Sequence, residues 1–255
     1  MIRIRPGAVL AAALACALAG GARDASAAAE VHKLSLVISG IPTQVSGGDF
    51  NDTIEQYNTI LLRPLGREGL SKVQFGWLFE AQLRYFVRSN VAVDAGVGQL
   101  RTQTKREFLP ALQQDINIRG EVLTVPVHAG AAYYLAPYNQ GDFQARAYLG
   151  AGFVSNVYNK ALLQQVESNT DSSTSLGGSF TRAATRDAPG YYVEGGVHMF
   201  FAIRYSVMLS VMYRSAVIRG LLDRDTGLPL LNSRGKPYTL DMGGIGGRMG
   251  IAIGL

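Results

Sequence analysis

Residues Val73–Arg88 read VQFGWLFEAQLRYFVR, and the way this stretch divides decides the fold. Counted by parity, Val73, Phe75, Trp77, Phe79, Ala81, Leu83, Tyr85 and Val87 share one face, all of them apolar or aromatic. Gln74, Gly76, Leu78, Glu80, Gln82, Arg84, Phe86 and Arg88 share the other, which is largely polar. Successive side chains point to opposite sides of a strand, so a period of two predicts a β-strand between two unlike environments. The stretch is close to the length that a tilted strand needs to cross a bilayer.

The same alternation recurs along the chain. It appears from Val91 to Gly98, Leu123 to Leu135, Phe143 to Phe153, Tyr191 to Met199, Val207 to Arg214 and Ile245 to Leu255, and Lys33 to Gly40 completes a set of eight. Short connections lie around Ser89-Asn90, Ala136–Asp142 and Ala202–Arg204. Long polar, Gly/Ser/Thr-rich or charged ones span roughly 41–71, 103–116, 160–188 and 218–238. Strict short–long alternation is what an up-and-down barrel produces when all its tight turns lie at one end. Aromatic residues gather at both ends. Tyr85, Phe86, Tyr133, Tyr134, Tyr138, Phe143, Phe200, Phe201 and Tyr205 flank the short turns, while Phe75, Trp77, Tyr158, Tyr191 and Tyr213 sit toward the long loops. Amphipathic rings favour the membrane–water boundary, so two such belts fit a spanning barrel.

The first residues read as an address. Arg3 and Arg5 precede the apolar run Ala8–Ala19, and Ala25-Ser26-Ala27 offers a cleavage site, so residues 1–27 are expected to be a signal peptide and 28–255 the barrel domain. Cys16, after Leu14-Ala15, is an alternative lipidation site. It is the only cysteine, so a chain cleaved after Ala27 has no disulfide, thiol nucleophile or cysteine metal site. Loss of Arg3, Arg5, Arg23 and Asp24 lowers the formal net charge from +5 to +3. The remaining sequence has no Lys/Arg-rich run, which argues against nucleic acid as a partner.

Two barrels share this alternation. A soluble, lipocalin-like barrel turns its apolar face inward around a ligand, and a transmembrane barrel turns it outward to lipid. The polar face carries Glu80, Gln82, Arg84, Asp94, His128, Arg146, Glu194, His198, Arg214 and Arg248 with many glycines, and it holds both signs of charge. That is the composition of a paired network in a narrow interior, whereas solvent-facing strands hold more Lys and Thr. The opposite face is almost free of charge over eight strands, which places Phe75, Trp77, Phe79, Leu83 and Tyr85 against lipid.

Four segments resemble a known family. VPVHAGAAYYL (Val125–Leu135), ARAYLGAGF (Ala145–Phe153), YYVEGGVHMFF (Tyr191–Phe201) and GRMGIAIGL (Gly247–Leu255) are similar to strands of the small bacterial outer-membrane β-barrels of OmpA, OmpX and OmpW type. The resemblance covers essentially the whole of residues 28–255. It departs from the family in ending on Leu255, apolar but not aromatic, and in having no peptidoglycan-binding domain after the barrel. It implies an all-β, eight-stranded, up-and-down antiparallel transmembrane barrel with long extracellular loops, in a Gram-negative outer membrane among lipid and lipopolysaccharide. It also implies a structural or surface-interaction role with a plugged lumen, a monomeric state, and a possible surface partner at the loops. OmpW-like passage of small hydrophobic molecules is the alternative, with Leu221, Leu222, Leu230 and Leu231 lining the entry.

Candidate chemistry is sparse. Glu194 and His198 share a face and could activate a hydroxyl nucleophile, but the sequence puts no Ser or Thr beside the histidines at a strand end. An interior hydrogen-bond and ion-pair network explains them without catalysis, since buried charges need partners. Three histidines with scattered carboxylates make no metal spacing, so no enzyme activity, cofactor or metal is expected. GGIGGRMG (Gly243–Gly250) lacks nucleotide-loop spacing and continues as a strand, which suits inward glycines in a tight barrel. Ser46–Leu62 is the single helical signal, with Asp49 as N-cap and Phe50, Ile54, Tyr57 and Leu61 at helical spacing. In the first long loop it could lie on the barrel mouth or the membrane surface, or pack on its own strands. Asn51-Asp-Thr53 matches a glycosylation sequon, without consequence in a bacterial chain.

Overall fold

The eight alternating segments form one closed antiparallel sheet. The computed structural model describes residues 33–64, 66–108, 114–140, 143–169, 178–184, 188–201, 204–223 and 226–255. Residues 1–27, expected to be a signal peptide, lie with Cys16 outside the described residues. The strands are β1 (Leu34–Gln44), β2 (Phe75–Arg88), β3 (Val91–Phe108), β4 (Gln114–Tyr134), β5 (Phe143–Asn169), β6 (Ala188–Phe200), β7 (Tyr205–Ser215) and β8 (Gly244–Gly254). Each pairs with the next in sequence, and β1 pairs with β8 to close the barrel, Leu36 opposite Ile253 and Gly40 opposite Met249. Closure leaves the sheet without an open edge, so the ladder satisfies its backbone groups internally.

Three strands overrun the sequence expectation. β4 has 21 residues and β5 has 27, whereas a tilted strand crosses a bilayer in about 9–11. The pairs Arg119–Gln164 and Lys105–Arg119 lie beyond the expected strands, with Gln164 and Lys105 in segments expected to be loop. The outward positions there are largely polar, as suits a hairpin standing in water, while Ile118, Val122, Ala161 and Leu163 face inward and are buried. The extra residue Val157 breaks the alternation between this part of β5 and the rest of the strand. Further short pairings add to this end: Gly178–Ala184 joins β5, and Leu222–Asp223 joins Gly178–Ala184. At the other end, Tyr138–Gln140 folds back on the start of β5.

One irregularity resets parity. Val125 pairs with Tyr158 but Pro126 pairs with Asn156, so Val157 is an extra residue in β5. Inward positions are Val154 and Asn156 before this bulge and Asn159, Ala161 and Leu163 after it. Proline lacks the N–H that a central ladder uses, and a bulge beside it absorbs the mismatch.

The expected helix is present with a different start and end. The helix α1 spans Asp49–Tyr57 and continues as a π-helical turn, Asn58–Leu62. Gly48, not Asp49, occupies the N-cap position, with φ of 57° and space for no side chain, since a Cβ there would lie 2.6 Å from the Thr239 carbonyl oxygen. The Asp49 carboxylate instead accepts from the Thr239 N–H at 2.7 Å and from Asn232 Nδ2 at 3.2 Å, tying the helix to the last long loop. Phe50, Ile54 and Tyr57 are buried as their spacing predicts. The wider π turn then rotates Leu62 into the interior and leaves Leu61 exposed.

Candidate functional site: the barrel lumen and outer face

The lumen is filled in three layers. At the short-turn end Val37, Phe86, Ala92, Ala132, Tyr134, Tyr148, Met208 and Ala252 form an apolar floor. At the long-loop end Ile41, Leu78, Leu100, Ile118, Val122, Leu163 and Met212 pack with Phe50 and Ile54 of α1 and with Ile218, Leu221 and Leu240 of the last loop. The helix is therefore a stopper in the barrel mouth, not a lid on the membrane surface. Two asparagines hold it there. Asn51 donates to the Ser46 and Val73 carbonyls at 2.7 and 2.8 Å and accepts from the Val73 N–H at 2.7 Å. Asn58 repeats the clasp one helical heptad later, donating to the Leu70 carbonyl and accepting from its N–H at 2.9 and 2.7 Å.

Between the two apolar layers lies the charge. All ten polar-face residues, Glu80, Gln82, Arg84, Asp94, His128, Arg146, Glu194, His198, Arg214 and Arg248, are buried inside the barrel. Six of them close a ring. Glu194 Oε1 accepts from Arg84 Nη2 at 3.2 Å, and its Oε2 accepts from Arg248 Nη1 at 2.6 Å. Arg248 Nη2 donates to Glu80 Oε1 at 2.6 Å, and Arg84 Nη2 lies 3.8 Å from Asp94 Oδ2. His128 completes the circuit, 3.6 Å from Glu80 and 3.9 Å from Asp94. The members come from β2, β3, β4, β6 and β8, so the ring ties opposite walls together. Tyr192 adds a hydroxyl that donates to Asp94 Oδ1 at 2.8 Å. It has room because Gly130 faces it, where a Cβ would sit 2.2 Å from the hydroxyl oxygen.

The remaining polar residues stand apart from that ring. Arg214 donates to the Met242 carbonyl at 3.0 Å, and Arg146 lies over the Tyr134 ring, 5.3 Å from its centroid. Gln82 reaches Arg248 only at 3.5 Å. The cavity left among Leu78, Glu80, Pro126, His128, Val154, Tyr192, Met212, Arg214 and Arg248 measures about 10 Å³, room for a single water.

His198 does not meet Glu194. Its Nδ1 is 3.1 Å from the Tyr134 hydroxyl and its Nε2 is 2.7 Å from Ser206 Oγ. The expectation that no hydroxyl stands by a histidine is therefore corrected. Ser206 lies one residue before the alternation that starts at Val207, because β7 begins at Tyr205. Tyr134 accepts from Arg84 Nη1 at 2.6 Å, so the pattern that uses every hydrogen has its hydroxyl donating to His198 Nδ1. The imidazole proton then sits on Nε2 and is donated to Ser206, the wrong tautomer for a base to activate that serine.

The outer face is the inverse of the inner one. Phe75, Trp77, Phe79, Leu83 and Tyr85 are all exposed, with Phe79 at 62 %, and so are Ile38, Val97, Leu149, Phe153, Leu209, Val211, Met249 and Ile251 around the barrel. Apolar outside and charged inside, this barrel is transmembrane; the soluble alternative needs the faces reversed. The belts are narrower than the sequence suggests. Phe75, Trp77, Tyr158, Tyr191 and Tyr213 are exposed at one end and Tyr85, Tyr138, Phe201 and Tyr205 at the other, but Phe86, Tyr134 and Phe200 turn into the lumen.

No protein-family model matches the chain, and no curated protein matches its sequence. Among solved structures it is similar to Neisserial surface protein A (NspA), at 14% identity and TM-score 0.44, over 88% of this chain and 97% of that one. It is similar to the outer membrane protein OprG of Pseudomonas aeruginosa, at 14% identity and TM-score 0.43, over 89% of this chain and 97% of that one. The outer membrane protease OmpT of Escherichia coli also matches, at 9% identity and TM-score 0.30, over 87% of this chain and 95% of that one. Likeness at these scores assigns no activity.

Proposed function

We propose that this chain is an outer-membrane barrel protein whose role is structural or surface-interactive, and that it neither catalyses a reaction nor conducts solutes. The observation that carries this reading is the inverted barrel with a filled interior: an uncharged belt outside, and inside an ionic ring sealed between two apolar layers. Eight strands leave only enough width for side chains. The ring, the apolar floor and α1 use that width at every level. Lipid and lipopolysaccharide are the proposed surroundings, the barrel is proposed to act as a monomer, and the long strands and loops beyond the belt are its surface for a partner. The ten polar-face residues are proposed as the lumen network and the five aromatic and aliphatic residues of β2 as lipid contacts.

Membrane fractionation with protease shaving tests this. The protein should stay with the outer membrane after carbonate extraction, lose the 160–188 segment to external protease and change gel mobility on heating. Release into the soluble fraction would sink the reading. For catalysis, a Ser206→Ala chain should leave the lipid A profile unchanged.

A further inference from the structure

Above the lipid belt, the outer face of β3, β4 and β5 carries a grid of cations. Parity is outward there, so Arg101 and Lys105 of β3, Arg119 of β4 and Lys160 of β5 share one surface. Registry fixes the rows. Arg101 stands opposite Trp77 on one side and Leu123 on the other, and Leu123 stands opposite Lys160. Four residues further from the belt, Lys105 stands directly opposite Arg119.

Like charges in direct cross-strand register oppose each other, so this grid costs stability unless something negative answers it. Two carboxylates, Glu107 and Glu121, do so in part. Glu121, only 7% exposed, lies between the rows; its carboxylate is ion-paired with Arg101, 3.2 Å from Nε, and accepts from Arg119 Nη2 at 2.5 Å. One carboxylate thereby pairs with two guanidinium groups, the contact from Arg101 being made by Nε. Lys105 pairs with Glu107, and Lys160 forms no ion pair among the described residues. Arg101 and Arg119 keep 51% and 41% of their side-chain surface exposed.

The height of the grid identifies its ligand. Its first row begins at Trp77 and just beyond Tyr158, where the aromatic girdle marks the boundary between hydrocarbon and water. Clustered guanidinium and ammonium groups at that level match phosphate oxygens, which guanidinium binds bidentately. We propose that Arg101, Arg119 and Lys160, positioned by Glu121, bind the phosphorylated headgroup of an outer-leaflet lipid. A soluble acidic partner would meet the loop tips first; a surface continuous with the lipid belt meets the lipid's own headgroups.

This inference rests on the outer-membrane reading, and the two fail separately. The full chain is placed in phosphatidylcholine nanodiscs containing either bis-phosphorylated lipid A or the same lipid with both phosphates removed, and native mass spectrometry counts the lipid A retained. The wild-type chain should retain the phosphorylated form and not the stripped one. The R101Q/R119Q/K160Q variant should lose retention about tenfold, as befits the loss of several charge-assisted contacts. Arg234→Gln, an exposed cation on the last long loop, should change nothing. Lys160→Gln alone, at a residue with no ion pair among the described residues, should weaken retention without affecting heat-dependent gel mobility. Equal retention by the triple variant, equal retention of the stripped lipid, or displacement of lipid A by inorganic phosphate alone would overturn the site. A chain that never enters the membrane would overturn the reading beneath it.

Discussion

At position 194, a glutamate has both its oxygens committed to arginines on different strands, Arg84 and Arg248. Burying charge is tolerable only when every partner is present, and removing one member leaves its neighbours uncompensated. Glu194→Ala should therefore destabilise the barrel by about 3–5 kcal/mol, seen as a lower temperature for the folded-to-unfolded gel shift. His198→Ala breaks hydrogen bonds but strands no charge, and should cost about 1–3 kcal/mol. If the two variants melt alike, the ring is not what holds the walls. The outward residues predict differently. Phe79→Arg should cost about 2–4 kcal/mol when unfolding is measured from lipid vesicles, because a charge then enters the hydrocarbon. A soluble barrel would show almost no loss. Single residues also show where sequence reading stopped. The parity of β2 put Glu80 and Arg84 on one face, but that Arg84 meets Glu194, 110 positions away, depends on how the strands are staggered.

At the scale of elements, α1 is held by contacts that no local pattern announces. Its periodic apolar residues gave it away in the sequence, yet the partner surface, from Ile41 to Met242, is spread over the chain. The Tyr238 hydroxyl, 2.9 Å from Thr53 Oγ1, docks the last loop on the helix, and burial holds this phenol protonated well above its ordinary range. A raised value favours the neutral form when folded. The docking is thus at full strength below the free phenol value of about 10 and weakens as pH rises above it, when the undocked loop gains a charge that the docked one resists. Subtilisin cleavage around α1 should accelerate above about pH 10 in the wild-type chain. A Tyr238→Phe chain, with no phenol to ionise, should show a flatter profile; the same rise in both would remove Tyr238 from the cause. The overlong β4 and β5 were illegible for another reason. Their outward residues are largely polar, and the extra residue Val157 shifts the parity of the rest of β5, so the extensions look unlike strand until their partner is known.

For the molecule as a whole, filling is the decisive property. Purified protein in planar bilayers should give no stepwise conductance, because the ring and the two apolar layers leave a cavity of only about 10 Å³. Steady ion steps from the folded barrel would refute the filled lumen and restore the transport alternative. The sequence by itself determined the strand count, their up-and-down order, the long and short ends, and which face of each strand is apolar, because side-chain direction in a strand follows position alone. It also put the ten polar-face residues on one face of their strands. Only the tertiary structure decided which of them touch, that Phe86, Tyr134 and Phe200 turn inward, that Ser206 rather than Glu194 meets His198, and that α1 enters the mouth. Alternation fixes a side chain's face, but contacts across a barrel depend on the stagger of strands around the closed sheet, and that stagger exists only once the sheet has closed.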